Sequence, residues 1–420
     1  GSVDMNDFTN FEFYAQSDSV DVSDLMNFVP LGNDISVKKG TLQDLHVNVK
    51  CEDGKYIMSG NVKFKGLEGT YKRGNTIYTI TDGNGRIMLN HNQIVIAQSS
   101  WRVNDQVAKV NGLITLGDNE EYLNLNVVAD KVDVATLTDS GITGTVGGRA
   151  HIGGTTVSPY VSATVASSGL SYGDYHVDRA QGDIVYDNGR VKVSDITLFA
   201  GTGSAKVNGQ YMIDDGSFTA DIKAHALPLD AFTQNMNHPI GGSVDGDIRL
   251  VGKDNALTDL VGHVEGQQIS MRGIVLDSVK ADLSQTGDET NVVAVGKMGD
   301  GTLSGYGYIE NGQVQATISG NALPLTSLSS IIGAADVDGT LSTSINVQGD
   351  LNNPHVTGNI WGQEVHYKGS RYNDIHSDLE LNNHVLTLKN GHIGDGNGGF
   401  DVSGQYHLDT DAIDITAVAR

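Results

Sequence analysis

The chain has 420 residues, with 27 Lys+Arg against 51 Asp+Glu and a formal net charge of −24 at pH 7. It carries no basic patch and no aromatic–arginine groove, which argues against a nucleic-acid partner and against electrostatic attachment to an anionic membrane surface. The single cysteine, Cys51, excludes an intrachain disulfide and a cysteine-based metal site, and no apolar run approaches the ~18 residues of a membrane span.

Taken from the N-terminus, Gly1-Ser2 reads as a cloning scar. Residues 3–420 read as one continuous array, because no linker, Pro/Ser-rich stretch or charge block marks a boundary. One phrase returns along it. A faint copy, Val20-Asp21-Val22-Ser23-Asp24-Leu25-Met26, comes first. Val132-Asp133-Val134 follows, then Ala226-Leu227-Pro228-Leu229-Asp230, then Ala322-Leu323-Pro324-Leu325-Thr326. Leu227 and Leu323 stand about 96 residues apart, and Val132 precedes Leu227 by about 95. The approximate repeats are therefore 20–131, 132–226, 227–322 and 323–420. A fixed period of this kind marks stacked units that cannot bury their apolar faces alone.

The surroundings of each copy repeat as well. Strand-like runs precede the Leu-Pro-Leu sites at Phe218–Ile222 and Val314–Ile318. Short helical stretches follow at Ala231–Met236 and Ser327–Ile332. Glycine-bearing strands come next at Ile142–Val146, Val244–Ile248 and Val337–Leu341, which align as equivalents. A "Gly, polar loop, Pro, strand" element then runs from Gly153 to Pro159-Tyr160-Val161 and from Gly349 to Pro354-His355-Val356. The remaining copy keeps Gly252 but has Asp259-Leu260-Val261 in place of the proline. Ile413–Ala417 falls where the next Leu-Pro-Leu is due, so the chain reads as a piece of a longer array.

Alternation dominates between these landmarks and predicts an all-β fold. Asp53-Gly54, Asn84-Gly85, Asn188-Gly189, Asp215-Gly216, Asn311-Gly312 and Asn390-Gly391 have the chemistry of type I′ hairpin turns. Two-residue turns join antiparallel neighbours, so the expectation is a long meander. At about 11 residues per strand plus turn it would hold roughly 35–40 strands, a rod of order 150 Å at ~4.8 Å per strand. Apolar residues make up 38% of the chain, enough to line one face of a sheet and thin for several closed cores. Without long helices to cover that face, the sheet must close, pair, or curl into an open trough. The open-ended repeat favours the trough, whose lining water would penalise unless something apolar fills it.

One alternation phase supplies the expected lining. It comprises Ile94, Ile96, Ile114, Leu116, Leu123, Leu125, Val127, Val161, Val165, Val191, Val193, Phe218, Ile222, Val244, Ile248, Leu250, Val314, Ile318, Ile345, Val347, Leu379, Leu381, Phe400, Val402, Ile413 and Ile415. The residues alone leave open whether these side chains pack on one another or on acyl chains.

The recurring "Leu-Pro-Leu, short helix, Gly-strand, Gly, loop, Pro, Val-x-Gly" phrase, at 227–264 and 323–360 and more loosely at 132–165, resembles the TamB/AsmA-like family of diderm bacteria. That family belongs to the repeating β-groove, bridge-like lipid-transfer proteins. The resemblance covers roughly 120–420, while residues 3–119 match only in composition and strand rhythm. It implies an open, taco-shaped β-groove in the periplasm, with an N-terminal inner-membrane anchor and a C-terminal region meeting an Omp85-class outer-membrane barrel. It implies phospholipid movement between the two membranes, with acyl chains in the groove, or an older role as scaffold for outer-membrane protein assembly. On this resemblance the chain is a middle segment. A β-repeat adhesin or stalk is the alternative.

Chemistry is sparse. His366, His376, His384 and His392 are spaced 10, 8 and 8, with no His-x-His or His-Glu-x-x-His, and read as strand-face histidines. Gly394–Asp401 has one glycine-rich stretch where Ca²⁺-binding repeats need tandem copies, and reads as a wide turn. No nucleophile elbow or P-loop occurs. No enzyme activity, cofactor or metal is expected.

Overall fold

A computed structural model describes residues 11–25, 34–52, 55–73, 76–117, 120–136, 141–235, 239–332 and 336–420. The fold is one open, curled antiparallel sheet of 26 strands. β1 (Phe11–Asp21) leads through α1 (Val22–Leu25) to β2 (Ile35–Glu52), β3 (Lys55–Arg73), β4 (Thr76–His91), β5 (Gln93–Val103), β6 (Gln106–Leu116) and β7 (Glu121–Asp133). A single 3-10 turn, Val134–Thr136, precedes β8 (Ile142–Gly154), β9 (Pro159–Tyr172), β10 (Tyr175–Asp187), β11 (Arg190–Ala200), β12 (Gly203–Met212) and β13 (Phe218–Pro228). α2 (Asp230–Thr233) precedes β14 (Gly241–Lys253), β15 (Ala256–Met271), β16 (Ile274–Thr286), β17 (Glu289–Met298), β18 (Gly301–Glu310) and β19 (Gln313–Pro324). α3 (Leu325–Ile332) precedes β20 (Val337–Asp350), β21 (His355–Tyr367), β22 (Ser370–Tyr372), β23 (Asp374–Asn382), β24 (Val385–Gly394), β25 (Gly399–His407) and β26 (Ala412–Ala419). The chain divides into two compact units. One holds the described residues to Leu198 with Gln210–Asp214, and the other holds Phe199–Gly209 and Asp215–Arg420.

Six strands separate one helical turn from the next: β2–β7, β8–β13 and β14–β19, with β20–β26 equivalent because β22 and β23 both pair with β21 as one broken strand. Six strands in about 96 residues is about 16 residues per strand with its turn. The sheet therefore has 26 strands where the sequence predicted 35–40. The reason is bulging. Residues at positive φ bend strands without ending them, so β3 runs for 19 residues.

Two predicted turns fail on the same ground. Asn84-Gly85 lies inside β4 beside register shifts, and a Cβ on Gly85 would stand 2.7 Å from both the Phe64 ring and Ser99 Cβ. Asn390-Gly391 lies inside β24, where a Cβ on Gly391 would stand 2.5 Å from the Val402 carbonyl oxygen. These glycines serve close packing. Asn188-Gly189 and Asn311-Gly312 are turns with both residues at positive φ, as expected. Asp53-Gly54 lies outside the described residues. Turns with the same backbone at Asn104-Asp105, Asp254-Asn255, Arg272-Gly273, Lys368-Gly369 and Asn383-His384 lacked that signature or carried it weakly.

The repeat is anchored by a bulge, and this corrects the sequence alignment. Val20 pairs with Leu42, Val132 with Val146, Leu227 with Val244, and Leu323 with Leu341. Gly40, Gly144, Gly242 and Gly339 each stand two residues before the second partner, at φ of +137°, +121°, +104° and +116°. Opposite them sit Gly66, Gly169, Gln268 and Glu364, all at positive φ. Gly242 is thus the equivalent of Gly339, where the sequence had aligned Gly246 with it. The first copy, faint in sequence, carries the same device. Ala226 and Ala322, at φ of +45° and +50°, form the matching bulge on the preceding strand. Their amides donate to Asp245 Oδ1 (3.2 Å) and Ser342 Oγ (3.0 Å).

Candidate functional site

Directly paired residues of an antiparallel sheet share a face, so the register traces which side chains stand together. In the second unit an unbroken row runs Ile222, Ile248, Gly262, Leu283, Val292, Gly307, Ala316, Val347, Val356, Leu381, Leu386, Tyr406, Ile413. A second row, two residues along each strand, runs Ala224, Gly246, Val264, Ala281, Ala294, Gly305, Ile318, Ile345, Gly358, Leu379, Leu388, Gly404, Ile415. Neither row contains a charge or an amide side chain. In the first unit the corresponding rows are Ala15, Val47, Gly60, Leu89, Ile94, Ile114, Leu123 and Val62, Ile87, Ile96, Gly112, Leu125, Ile152, Val161, Tyr186.

The other face is polar. Between the two rows of the second unit lies Lys223, Asp247, His263, Asp282, Val293, Tyr306, Thr317, Asn346, Thr357, Glu380, Thr387, Gln405, Asp414. Side chains of the apolar rows are half-buried as far as β25, whereas most of the polar row is exposed. Among the described residues the strands contact their sheet neighbours and the short helices, with α3 reaching from the β19–β20 junction to β16, and no second sheet packs on this one. A single layer shields one face in this way by curling toward it. In the first unit the Phe64 and Trp101 rings pack at 4.9 Å in the crook, and Trp101 Nε1 donates to Ser99 Oγ at 2.9 Å.

Nearly all the residues named from sequence can be placed by this register. Ile94, Ile96, Ile114, Leu116, Leu123, Leu125, Val127, Val161 and Val165 share the apolar face of the first unit. Phe218, Ile222, Val244, Ile248, Leu250, Val314, Ile318, Ile345, Val347, Leu379, Leu381, Phe400, Val402, Ile413 and Ile415 share that of the second. Val191 and Val193 are half-buried on β11. Ile413 and Ile415 are 66% and 58% exposed, because β26 ends the sheet and leaves them one flank, and Phe400 on β25 is 47% exposed with only Ala419 beside it on β26. Sequence reasoning missed Leu283, Val292, Val356, Leu386 and Tyr406. At Val292–Val295 apolar residues occupy both phases and hide the alternation, and Val293 and Val295 prove to be outward and half-exposed.

Ion pairs occupy the polar face. Lys223 meets Asp247 at 3.3 Å and Lys280 meets Glu265 at 2.6 Å. His225 meets Asp245 at 2.8 Å, and its hydrogen bond holds that carboxyl below the usual range. Hydrogen bonds to Asp282 and then Glu265 push the His263 imidazole up, while Lys280 draws Glu265 down. Of the clustered histidines, His376 and His392 face each other across strands with centroids 5.7 Å apart and bind Asp374 and Asp401. No group of three His, Cys, Asp or Glu among the described residues has metal-holding geometry. Gly394–Asp401 spans the β24–β25 turn, and Asp395 Oδ1 accepts from the amides of Asn397 (2.8 Å) and Gly398 (3.1 Å). That carboxylate closes its own turn.

Comparison of the chain with protein-family models, with curated proteins and with solved structures gives no match. The class defined by the fold is an open, curled antiparallel sheet of six-strand repeats with one apolar face.

Proposed function

We propose that the apolar face seats lipid acyl chains, and that the chain is a segment of a conduit carrying phospholipid between two membranes. The observation that carries this reading is the pair of rows from Ile222 to Ile413 and from Ala224 to Ile415. They are aliphatic or glycine almost throughout, and no second sheet packs on them among the described residues. Water penalises such a strip at about 25 cal/mol per Å², and a flexible hydrocarbon chain lying across the strands removes the penalty. Each CH₂ buried contributes about 0.8 kcal/mol, while a uniform aliphatic floor holds no deep minimum along its length. Head groups stay in water along the open side. No bond is made or broken.

The resemblance of the Leu-Pro-Leu phrase to TamB/AsmA-like proteins supplies the setting for the proposal. That setting is a periplasmic segment of a protein anchored in the inner membrane, which reaches an Omp85-class barrel at the other end and serves outer-membrane lipid homeostasis. The first test is native mass spectrometry of the purified chain with organic extraction. Phospholipid should be retained and should label Leu283 and Val292 through a photoactivatable acyl terminus. A lipid-free chain that takes up none from phosphatidylethanolamine vesicles would remove the reading and leave a structural stalk.

A further inference from the structure

The polar face of the first unit carries a basic strip that no run of basic residues in the sequence announces. Lys63 and Arg86 are direct partners across β3 and β4, on the face opposite their apolar neighbours Val62 and Ile87. Two residues along β3, Lys65 stands opposite Thr41. A row of the same face then runs Asn84, Ser100, Lys109, Val128, Arg149, Thr164 from β4 to β9. On the other side of Arg86, Met88, Val95 and Leu113 are direct partners facing outward, and Met88 is 38% exposed. From β3 to β9 these rows hold no Asp or Glu. Asp44, on the β2 bulge, meets Lys63 at 2.6 Å, and that contact, with Arg86 and His46 beyond it, holds its carboxyl below the usual range. The flanking carboxylates are engaged: Glu68 meets Lys39 at 3.1 Å, Asp82 accepts from the Asn84 amide at 2.8 Å, and Asp183 accepts from the Thr164 hydroxyl at 2.7 Å. Lys65, Arg86, Lys109 and Arg149 are exposed. The polar face of the second unit differs, with Asp221, Asp245, Asp247, Glu265 and Asp282 on β13–β16.

We infer that this strip is a docking surface for an anionic lipid leaflet, a role beyond the acyl-chain reading above and independent of it. Like charges placed directly opposite each other, as Lys63 and Arg86 are, cost stability in a sheet, and an anionic surface offsets that cost. Lys65, Lys109 and Arg149 stand two or three strands apart, about 10–14 Å at the strand spacing. Long side chains so dispersed suit head groups that move laterally to meet them. The Met88, Val95 and Leu113 side chains beside them suit the boundary below the head groups. A single-stranded nucleic acid would need aromatic platforms for its bases, and these rows carry no Phe, Tyr or Trp from β3 to β8. The net charge of −24 does not forbid the contact, because charges farther off than a Debye length of ~8–10 Å are largely screened and the local strip decides.

The test floats the intact chain with vesicles of phosphatidylcholine containing phosphatidylglycerol, and with vesicles of phosphatidylcholine alone. The readout is the ratio of the two partition coefficients, so that lipid taken into the apolar rows cancels. The parent should favour the phosphatidylglycerol vesicles at low salt and lose the preference near ~1 M salt, where the Debye length is ~3 Å. The triple variant Lys65→Gln, Lys109→Gln, Arg149→Gln, with parental circular dichroism, should bind those vesicles roughly a hundredfold more weakly, at about 1 kcal/mol for each cation near an anionic surface. The variant Lys223→Gln, Arg249→Gln, Lys280→Gln makes the same change in net charge on the second unit, where those cations already meet carboxylates. It should keep the parental preference. No preference in the parent, or an equal loss in both triple variants, overturns the assignment. Binding of polyglutamate by a parent that ignores phosphatidylglycerol overturns the lipid partner and gives the strip to an acidic protein. The acyl seat is judged separately, by photolabel on Leu283 and Val292.

Discussion

Ala281 and Leu283 lie on the single strand β16, one in each apolar row, with Asp282 between them on the polar face. Replacing both by Asp interrupts both tracks at one place. Strands are spaced about 4.8 Å, so an acyl chain crossing β16 lays about four CH₂ groups on it, worth ~3 kcal/mol at ~0.8 kcal/mol each. Hydrated carboxylates at those two positions withhold that contact and raise the passage barrier by about the same amount. At 1.36 kcal/mol per decade the flow across β16 falls about hundredfold. The sheet survives, since each position is only half-buried and loses ~1–2 kcal/mol of apolar burial at most. The assay attaches the chain by its C-terminus to donor vesicles holding the acyl-diazirine phospholipid and follows label with time on β17–β20 and on β13–β15. In the parent both fill. In the variant β17–β20 fill as before and β13–β15 lag about a hundredfold. Val293→Asp, on the exposed opposite face, should change neither. Equal labelling on both sides of β16 in a variant with parental circular dichroism refutes the sliding argument.

Gly339→Ala places a Cβ 2.6 Å from the Glu364 carbonyl oxygen and 2.8 Å from Val365 Cα at φ +116°, so a loss of ~2–3 kcal/mol is expected, read as faster amide exchange across β20 and β21. Gly312→Ala, with nothing within 4 Å, should lose no more than the ~1–2 kcal/mol of a left-handed non-glycine residue. Trp101→Ala removes the ring against Phe64 and should destabilise the first unit by ~3 kcal/mol, measured as a fall in urea midpoint. The His263 pKa is raised by Asp282 and Glu265, so the stabilisation it brings is complete below about pH 6.5 and vanishes as pH rises through the raised value. His263→Gln should therefore lower the melting temperature at pH 5.5 and leave it nearly unchanged at pH 9, and the reverse pattern refutes the pairing.

What the sequence made legible was local. Alternation such as Phe218-x-Ala220-x-Ile222 assigns a face without knowledge of the partner strand, and so the register collects the named residues it can place on the apolar side. The Leu-Pro-Leu phrase marks the junctions of β13 with α2 and of β19 with α3, whereas Val20-Asp21-Val22 and Val132-Asp133-Val134 lead into helical turns without it. Asn84-Gly85 misled because a glycine required by the Phe64 ring across the sheet is indistinguishable, in sequence, from one required by a turn. Gly40 was invisible as a repeat marker for a similar reason. Its role is set by Gly66 and Leu67 on the neighbouring strand, a contact between residues far apart in the chain.

An even number of strands per repeat has a mechanical consequence that joins these observations. With six, every repeat re-enters the sheet from the same rim, so the bulge glycine, the helical turn and the apolar phase recur in the same place and the rows continue unbroken from β13 to β26. An odd number would alternate the helices between rims. A stalk does not by itself call for such constancy on one face. Its stability would improve if outward charge were spread over both faces, as exposed sheets are usually protected. A continuous aliphatic floor, with charge on the opposite face, is the arrangement that the proposed sliding hydrocarbon ligand requires. On the proposed conduit reading, a single polar side chain anywhere along the rows would be felt by every lipid that passes.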